Sequence, residues 1–209
     1  NPIYVDMENK LNEVGPGMCL AKWTQVTLQL QTGHNHSCHH PRTHKINTKE
    51  IARNPSALHN TQYKKLRRRE MLTGKRPEEC DYCWNVEDNS DRFSDRTFKS
   101  QENWSKPHFD EIVNADWRED FNPRYVEVAF SNACNFKCSY CGPAYSSTWV
   151  EEVNKFGGYP TSDGFNDPAG AIKEADRKVF EKLLGKQQNP MQTILGGTAK
   201  LSMSTRRNL

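Results

Sequence analysis

The chain has 209 residues with 29 Lys or Arg against 26 Asp or Glu, a net charge of +3 that is too balanced to point to nucleic acid by itself. Its hydrophobic fraction is 34%, low against the roughly 45–50% usual when Gly is counted, so the core is expected to be modest or the chain to lack a part of itself. No apolar run is long enough to span a membrane and no basic-then-apolar leader stands at the start, which gives a cytoplasmic reading with the natural start expected before Asn1.

Residues 1–18 are polar with Gly-Pro-Gly at 15–17 and read as a flexible lead-in. After Cys19, the stretch Trp23 to Leu30 alternates Val26, Leu28 and Leu30 with polar residues, the period of a half-buried strand. Gly33 breaks the run, and His34 to His40 with Cys38 predict the turn and return of a hairpin that brings Cys19 and Cys38 together. Histidines 34, 36, 39, 40 and 44 form a tract that either binds zinc or is simply exposed. Residues 48–74 predict helix: Asn47 or Thr48 caps a first segment, Pro55 opens a second and Gly74 ends it. Leu58, Tyr63, Leu66 and Leu72 are its expected core-facing stripe. Lys64 to Arg69 invites an RNA-binding reading, but a charge run on a helix is usually a solvated face. Lys65 and Arg69 turn toward the apolar side, where they snorkel or meet an acidic partner.

Cys80-Asp-Tyr-Cys83 follows, and residues 85–123 read as an irregular connector with short helices near 92–102 and 108–116. Its aromatics Phe93, Trp104, Phe109 and Trp117 are placed to pack over a cluster and restrict solvent. Tyr125 to Phe130 then reads as a strand, and directly behind it lies Cys134-Asn-Phe-Lys-Cys138-Ser-Tyr140-Cys141. Three thiolates on one loop hold three corners of an iron–sulfur cube and leave the fourth open. A zinc site is the alternative, although zinc sites usually pair Cys-x2–4-Cys with a second Cys or His pair. Ser146 to Phe156 reads as helix, 157–170 as loop, about 171–185 as a second helix and Met191 to Leu195 as a strand ending in Gly196-Gly197. That order opens a βαβ series.

The triplet resembles the signature of the radical S-adenosylmethionine (radical SAM) enzymes, Cys-x3-Cys-x-aromatic-Cys. The resemblance implies that Cys134, Cys138 and Cys141 ligate a 4Fe-4S cluster, that Tyr140 lies near the adenine of S-adenosylmethionine, and that Gly196 and Gly197 occupy the place of a Gly-Gly-Glu-Pro motif that holds the cosubstrate's amino group. Thr198 and Ala199 stand where that motif has Glu and Pro. Reductive cleavage to a 5′-deoxyadenosyl radical and hydrogen abstraction from a substrate would follow. Cys19, Gly33, Cys38, Cys80 and Cys83 resemble the opening of the SPASM and twitch auxiliary-cluster modules, the shorter twitch form being the better match. Cys19 to Trp149 as a whole is similar to twitch-containing radical SAM proteins of phages and environmental bacteria. The resemblance implies a second, fully ligated 4Fe-4S cluster on Cys19, Cys38, Cys80 and Cys83, a peptide or protein substrate, and an electron donor such as flavodoxin or ferredoxin.

The expected fold is α/β, α+β overall. A hairpin-plus-helix iron–sulfur module at 1–84 and a connector at 85–123 precede the start of a partial (β/α) barrel at 124–209. That barrel needs further βα units, so the chain is expected to be truncated or to lose frame near 198. The competing reading is a non-catalytic zinc module that binds RNA or a protein partner.

Overall fold

The computed structural model describes residues 1–158 apart from 31, 32, 42 and 144. The second helix near 171–185, the strand at 191–195 and Gly196-Gly197 lie outside the described residues, and no radical SAM barrel is seen among the described ones. What the structure has is a mixed α+β fold: a small four-stranded sheet set among short helices.

The chain opens with helix α1 (Pro2–Val14), which corrects the reading of a flexible lead-in. Asn1 caps it through its side chain and Pro2 takes a first-turn position where no amide donor is needed. Met7 and Leu11, one turn apart, are buried with Met18, Leu20, Trp23, Met71, Ile112 and Phe121 in one core cluster. The Gly-Pro-Gly that looked like a linker is a close approach: a Cβ on Gly17 would overlap the Lys75 carbonyl oxygen. The segment carrying Cys19 is thereby held against the segment leading to Cys80.

Short helix α2 (Ala21–Thr24) leads into strand β1 (Gln25–Gln29), which pairs antiparallel with β2 (His34–His36), and β2 pairs with β3 (His44–Lys45). Strand β4 (Tyr125–Ala129) adds to the other side of β1 in parallel, with Thr27 beside Glu127, giving the order β3-β2-β1-β4. All five residues of β1 are buried, not every second one, because β1 is a central strand. One sheet thus includes strands from both sides of the connector.

Asn47 caps α3 (Thr48–Arg53), and Pro55 opens a 3-10 turn, Pro55–Leu58. Thr61 caps α4 (Gln62–Leu72), and Gly74 follows with φ +75, a left-handed conformation that favours glycine. The buried face of α4 is the reverse of the one expected. Lys64, Arg68 and Met71 point inward while Tyr63 is exposed and Leu66 and Leu72 are half-buried. The connector is well built: α5 (Asp81–Asn89) is followed by α6 (Asp95–Gln101) and α7 (Phe109–Asn114), and Ser100 accepts from the Leu20 amide at 3.1 Å. Three of its aromatics pack elsewhere than over a cysteine cavity, Phe93 on Tyr4 and Phe98, Trp104 on Tyr125 and Trp117 under Arg69 and Arg118, whereas Phe109 packs on the core cluster that Cys19 and Cys80 also touch. Helix α8 (Ser147–Phe156), capped by Ser146, closes the described chain.

Candidate metal centres

Three chain segments deliver the first centre. Cys19 precedes α2, Cys38 follows β2, Cys80 ends the 3-10 turn Glu78–Cys80, and Cys83 lies one turn on, in α5. All four line one small cavity with Lys22, Met71 and Trp84, and all four are free thiols. The Ala21, His40 and Arg96 amides favour the ionised forms of Cys19, Cys38 and Cys83, and Lys22 does the same for Cys80.

Burial and crowding oppose four free thiolates here. Burial, then the neighbouring Cys83, Cys80 and Cys38, push the Cys19 thiol up to about 12. Burial pushes Cys83 up to about 11 and raises Cys38 and Cys80 as well. A bound cation reverses that balance by replacing the protons, so the donor set fits a thiolate-bound metal group.

The surrounding charge is positive and buried. Lys22 is 3% exposed and pairs with Glu79, itself 7% exposed. Burial works against the Lys22 charge, but Cys80 and Glu79 outweigh it and hold its pKa up. Glu79 is kept ionised by Lys22 and by a hydrogen bond from Tyr63, in spite of its burial. Behind Lys22, Arg68 donates to the Lys22 carbonyl at 3.2 Å and to Asn60 Oδ1 at 2.7 Å, with its guanidinium 5.7 Å from the Trp23 ring. Lys64 donates to His59 Nδ1 at 2.8 Å, and the ring's Nε2–H donates to the Trp23 carbonyl at 2.6 Å. Burial, then Lys64 and Arg68, hold His59 neutral. Of the two residues expected to turn inward, Lys65 pairs with Asp120 at 2.5 Å and Arg69 remains exposed over Trp117.

The histidine tract divides. Ligand atoms of Cys38, His39 and His40 lie within 4.8 Å of one another, the one such set found among the described residues. Asp95 Oδ2 lies 2.8 Å from His40 Nε2 and 3.2 Å from His39 Nε2, and the His40 ring stacks on Tyr82 at 3.6 Å. His44 is tied to Thr61 Oγ1 at 2.9 Å, and burial, then Lys64, lowers its pKa to about 3.

The second centre is the triplet loop at the C-terminal end of β4. Helix α8 stitches it in place: Ser147 Oγ accepts from the Cys134 amide at 3.1 Å, and Thr148 Oγ1 donates to the Cys134 carbonyl at 2.6 Å. Trp149 Nε1 donates to the Cys138 carbonyl at 3.1 Å, and Ser146 Oγ to the Phe136 carbonyl at 2.7 Å. Cys134 and Cys141 line a cavity of about 530 Å³ with Glu127, Phe130, Tyr140 and Tyr145. Tyr140 is 87% exposed. Cys138 is joined to Cys141 through the Cys141 amide at 3.0 Å.

Sequence reasoning missed Lys22, Ser37, Met71 and Trp84 around the first cavity. The one available signal was Lys22 itself, a lone charge inside the apolar stretch from Met18 to Trp23. No protein-family model matches the chain, and no curated protein or solved structure does either. Among the described residues, no helix is long and apolar enough to cross a membrane.

Proposed function

We propose that the chain carries two iron–sulfur clusters, a closed one on Cys19, Cys38, Cys80 and Cys83 and an open one on Cys134, Cys138 and Cys141, and that it is a radical SAM enzyme or a piece of one. The observation that carries the reading is the division of seven free thiols into four that line one small cavity and a three-cysteine loop beside a far larger one. Four protein ligands complete a cube, whereas three leave a position for a small molecule. A single zinc ion, with bonds of about 2.3 Å, would draw four sulfurs to within about 4 Å of one another.

With a cluster and S-adenosylmethionine bound, the chemistry supplied is one-electron cleavage of the cosubstrate and hydrogen abstraction from a substrate. The chain's part is anchoring and placement. Cys134, Cys138 and Cys141 anchor, and the α8 hydroxyls of Ser147 and Thr148 hold the Cys134 backbone. The cavity of about 530 Å³ beside them is the size of a small-molecule site and has Glu127, Tyr140 and Tyr145 on its wall. The quartet relays electrons or stabilises the module. A peptide or protein substrate and a flavodoxin- or ferredoxin-type donor complete the reading.

The zinc-module alternative has one observation in its favour, the tight Cys38–His39–His40 group. Its RNA-binding arm loses support, because Lys64 and Arg68 of the basic helix are 1% and 0% exposed.

The test is anaerobic reconstitution with iron and sulfide counted per chain. About eight irons in the wild type, falling to about four in a Cys134→Ala, Cys138→Ala, Cys141→Ala variant, is the expected result. A colourless protein with stoichiometric zinc overturns it.

A further inference from the structure

The quartet cavity contains two polar groups that a purely structural pocket does not need. Lys22 brings an ammonium into the protein interior, 3% exposed, and lines the cavity together with all four cysteines. Its hydrogen-bond partner is Glu79, 7% exposed, so a buried ion pair stands at the cavity that the four cysteines line. Ser37 is the second group. It is 3% exposed, lines the same cavity, and its hydroxyl has no hydrogen-bond partner. A buried hydroxyl without a partner costs free energy unless something in the cavity accepts from it.

We propose, resting on the cluster reading above, that Lys22 is the positioning residue that sets the reduction potential of the quartet's cluster, with Glu79 tempering its charge and the Ser37 hydroxyl as an additional donor. Adding an electron makes a thiolate-bound cluster more negative. A fixed ammonium in a low-dielectric interior stabilises that reduced state and raises the potential. The other cations nearby are less suited. Arg96 is neutralised by Glu87 at 2.8 Å, and Lys99 lines the cavity but is half-buried and reached by solvent.

The experiment uses the full chain with Cys134, Cys138 and Cys141 replaced by Ala, so that only the quartet's cluster remains, reconstituted with iron and sulfide and titrated potentiometrically. Lys22→Met is expected to lower the midpoint potential by about 59 mV, a tenfold change for a one-electron couple, with iron content unchanged. Lys22→Arg restores most of it, and Glu79→Gln raises the potential above wild type. Because Lys22→Met strands a buried carboxylate, the Lys22→Met, Glu79→Gln pair is measured too, and it is expected to fall below Glu79→Gln alone. Lys99→Met leaves the potential near wild type. Full iron in every variant with indistinguishable midpoints overturns the role of Lys22. A parent chain that takes up no iron overturns the cluster reading itself, and the iron count reports that separately from the potentials.

Discussion

The two cysteine sets are built in opposite ways. The quartet draws its sulfurs from three stretches between residues 19 and 83, so its geometry exists only once α1, α4, α5 and the hairpin have packed. The triplet lies within eight residues of one loop, and the hydroxyls of the following helix hold it. The first is long-range, enclosed and ringed by buried charge. The second is local, open, and faces a cavity. A closed site buys stability for the module, whereas an open site keeps access for a ligand.

The largest expected difference follows directly. Structural metal sites supply on the order of 10 kcal/mol of binding free energy to small domains. Replacing the four quartet cysteines by Ser should therefore abolish cooperative unfolding of the segments that bear them, whereas the triplet-Ala variant keeps it. Circular dichroism melts of the two reconstituted variants make the comparison, and equal melting behaviour would break it.

A smaller contrast lies on α4. Arg68→Ala takes the buried side-chain donor from the Lys22 carbonyl, leaves Asn60 Oδ1 with the Phe121 amide alone and empties the space beside Trp23, and it should cost about 3 kcal/mol. Arg69→Ala, one residue on and exposed, should stay within about 0.5 kcal/mol. Urea denaturation distinguishes them. Equal costs would mean that the basic run is a solvated face after all.

Much of the module was legible from local signals. The strand from Gln25, the return through His34 to His36, the Asn47 cap, Pro55 and Gly74 follow from short-range chemistry, as do the strand at Tyr125 and the Ser146-capped helix. What escaped depends on partners far away in sequence. Strand β1 is buried on every residue because β4 comes from 100 positions later. Helix α4 turns its charges inward because His59, Asn60 and Trp23 offer them acceptors and an aromatic face, which no helical wheel displays. Helix α1 is a different case: its Asn-Pro start and the spacing of Met7 and Leu11 were present, but the Gly-Pro-Gly behind them drew the reading toward a linker.

The buried network around α4 also fixes a pH dependence. His59, faced by Lys64 and Arg68, stays neutral in the folded chain while the unfolded chain protonates near pH 6.5. The pKa of His44 is lowered to about 3, so it behaves the same way. The unfolded state therefore binds more protons below pH 6.5, and stability falls as pH falls, by about 1.4 kcal/mol per pH unit for each fully displaced proton. Denaturant titrations between pH 7 and 4.5 should show this slope, and His59→Gln should reduce it by about one proton. An unchanged slope in that variant would show that the acid sensitivity lies elsewhere.

The smallest effect belongs to the triplet loop and tests whether α8 is what holds it. Ser147→Ala and Thr148→Val each remove hydroxyl bonds to the Cys134 backbone, and a net hydrogen bond is worth about 1 kcal/mol. Lys137 lies inside the loop and provides a trypsin site, so cleavage there reports how often the loop opens. One lost kilocalorie raises the open population roughly fivefold, and each variant should be nicked faster by about that factor in the reconstituted chain. Cleavage at Lys22, 3% exposed within the quartet module, should not change, because these hydroxyls touch nothing there. Equal acceleration at both lysines would mean that the two sites open together, and the division into a closed and an open centre would fail at its mechanical root.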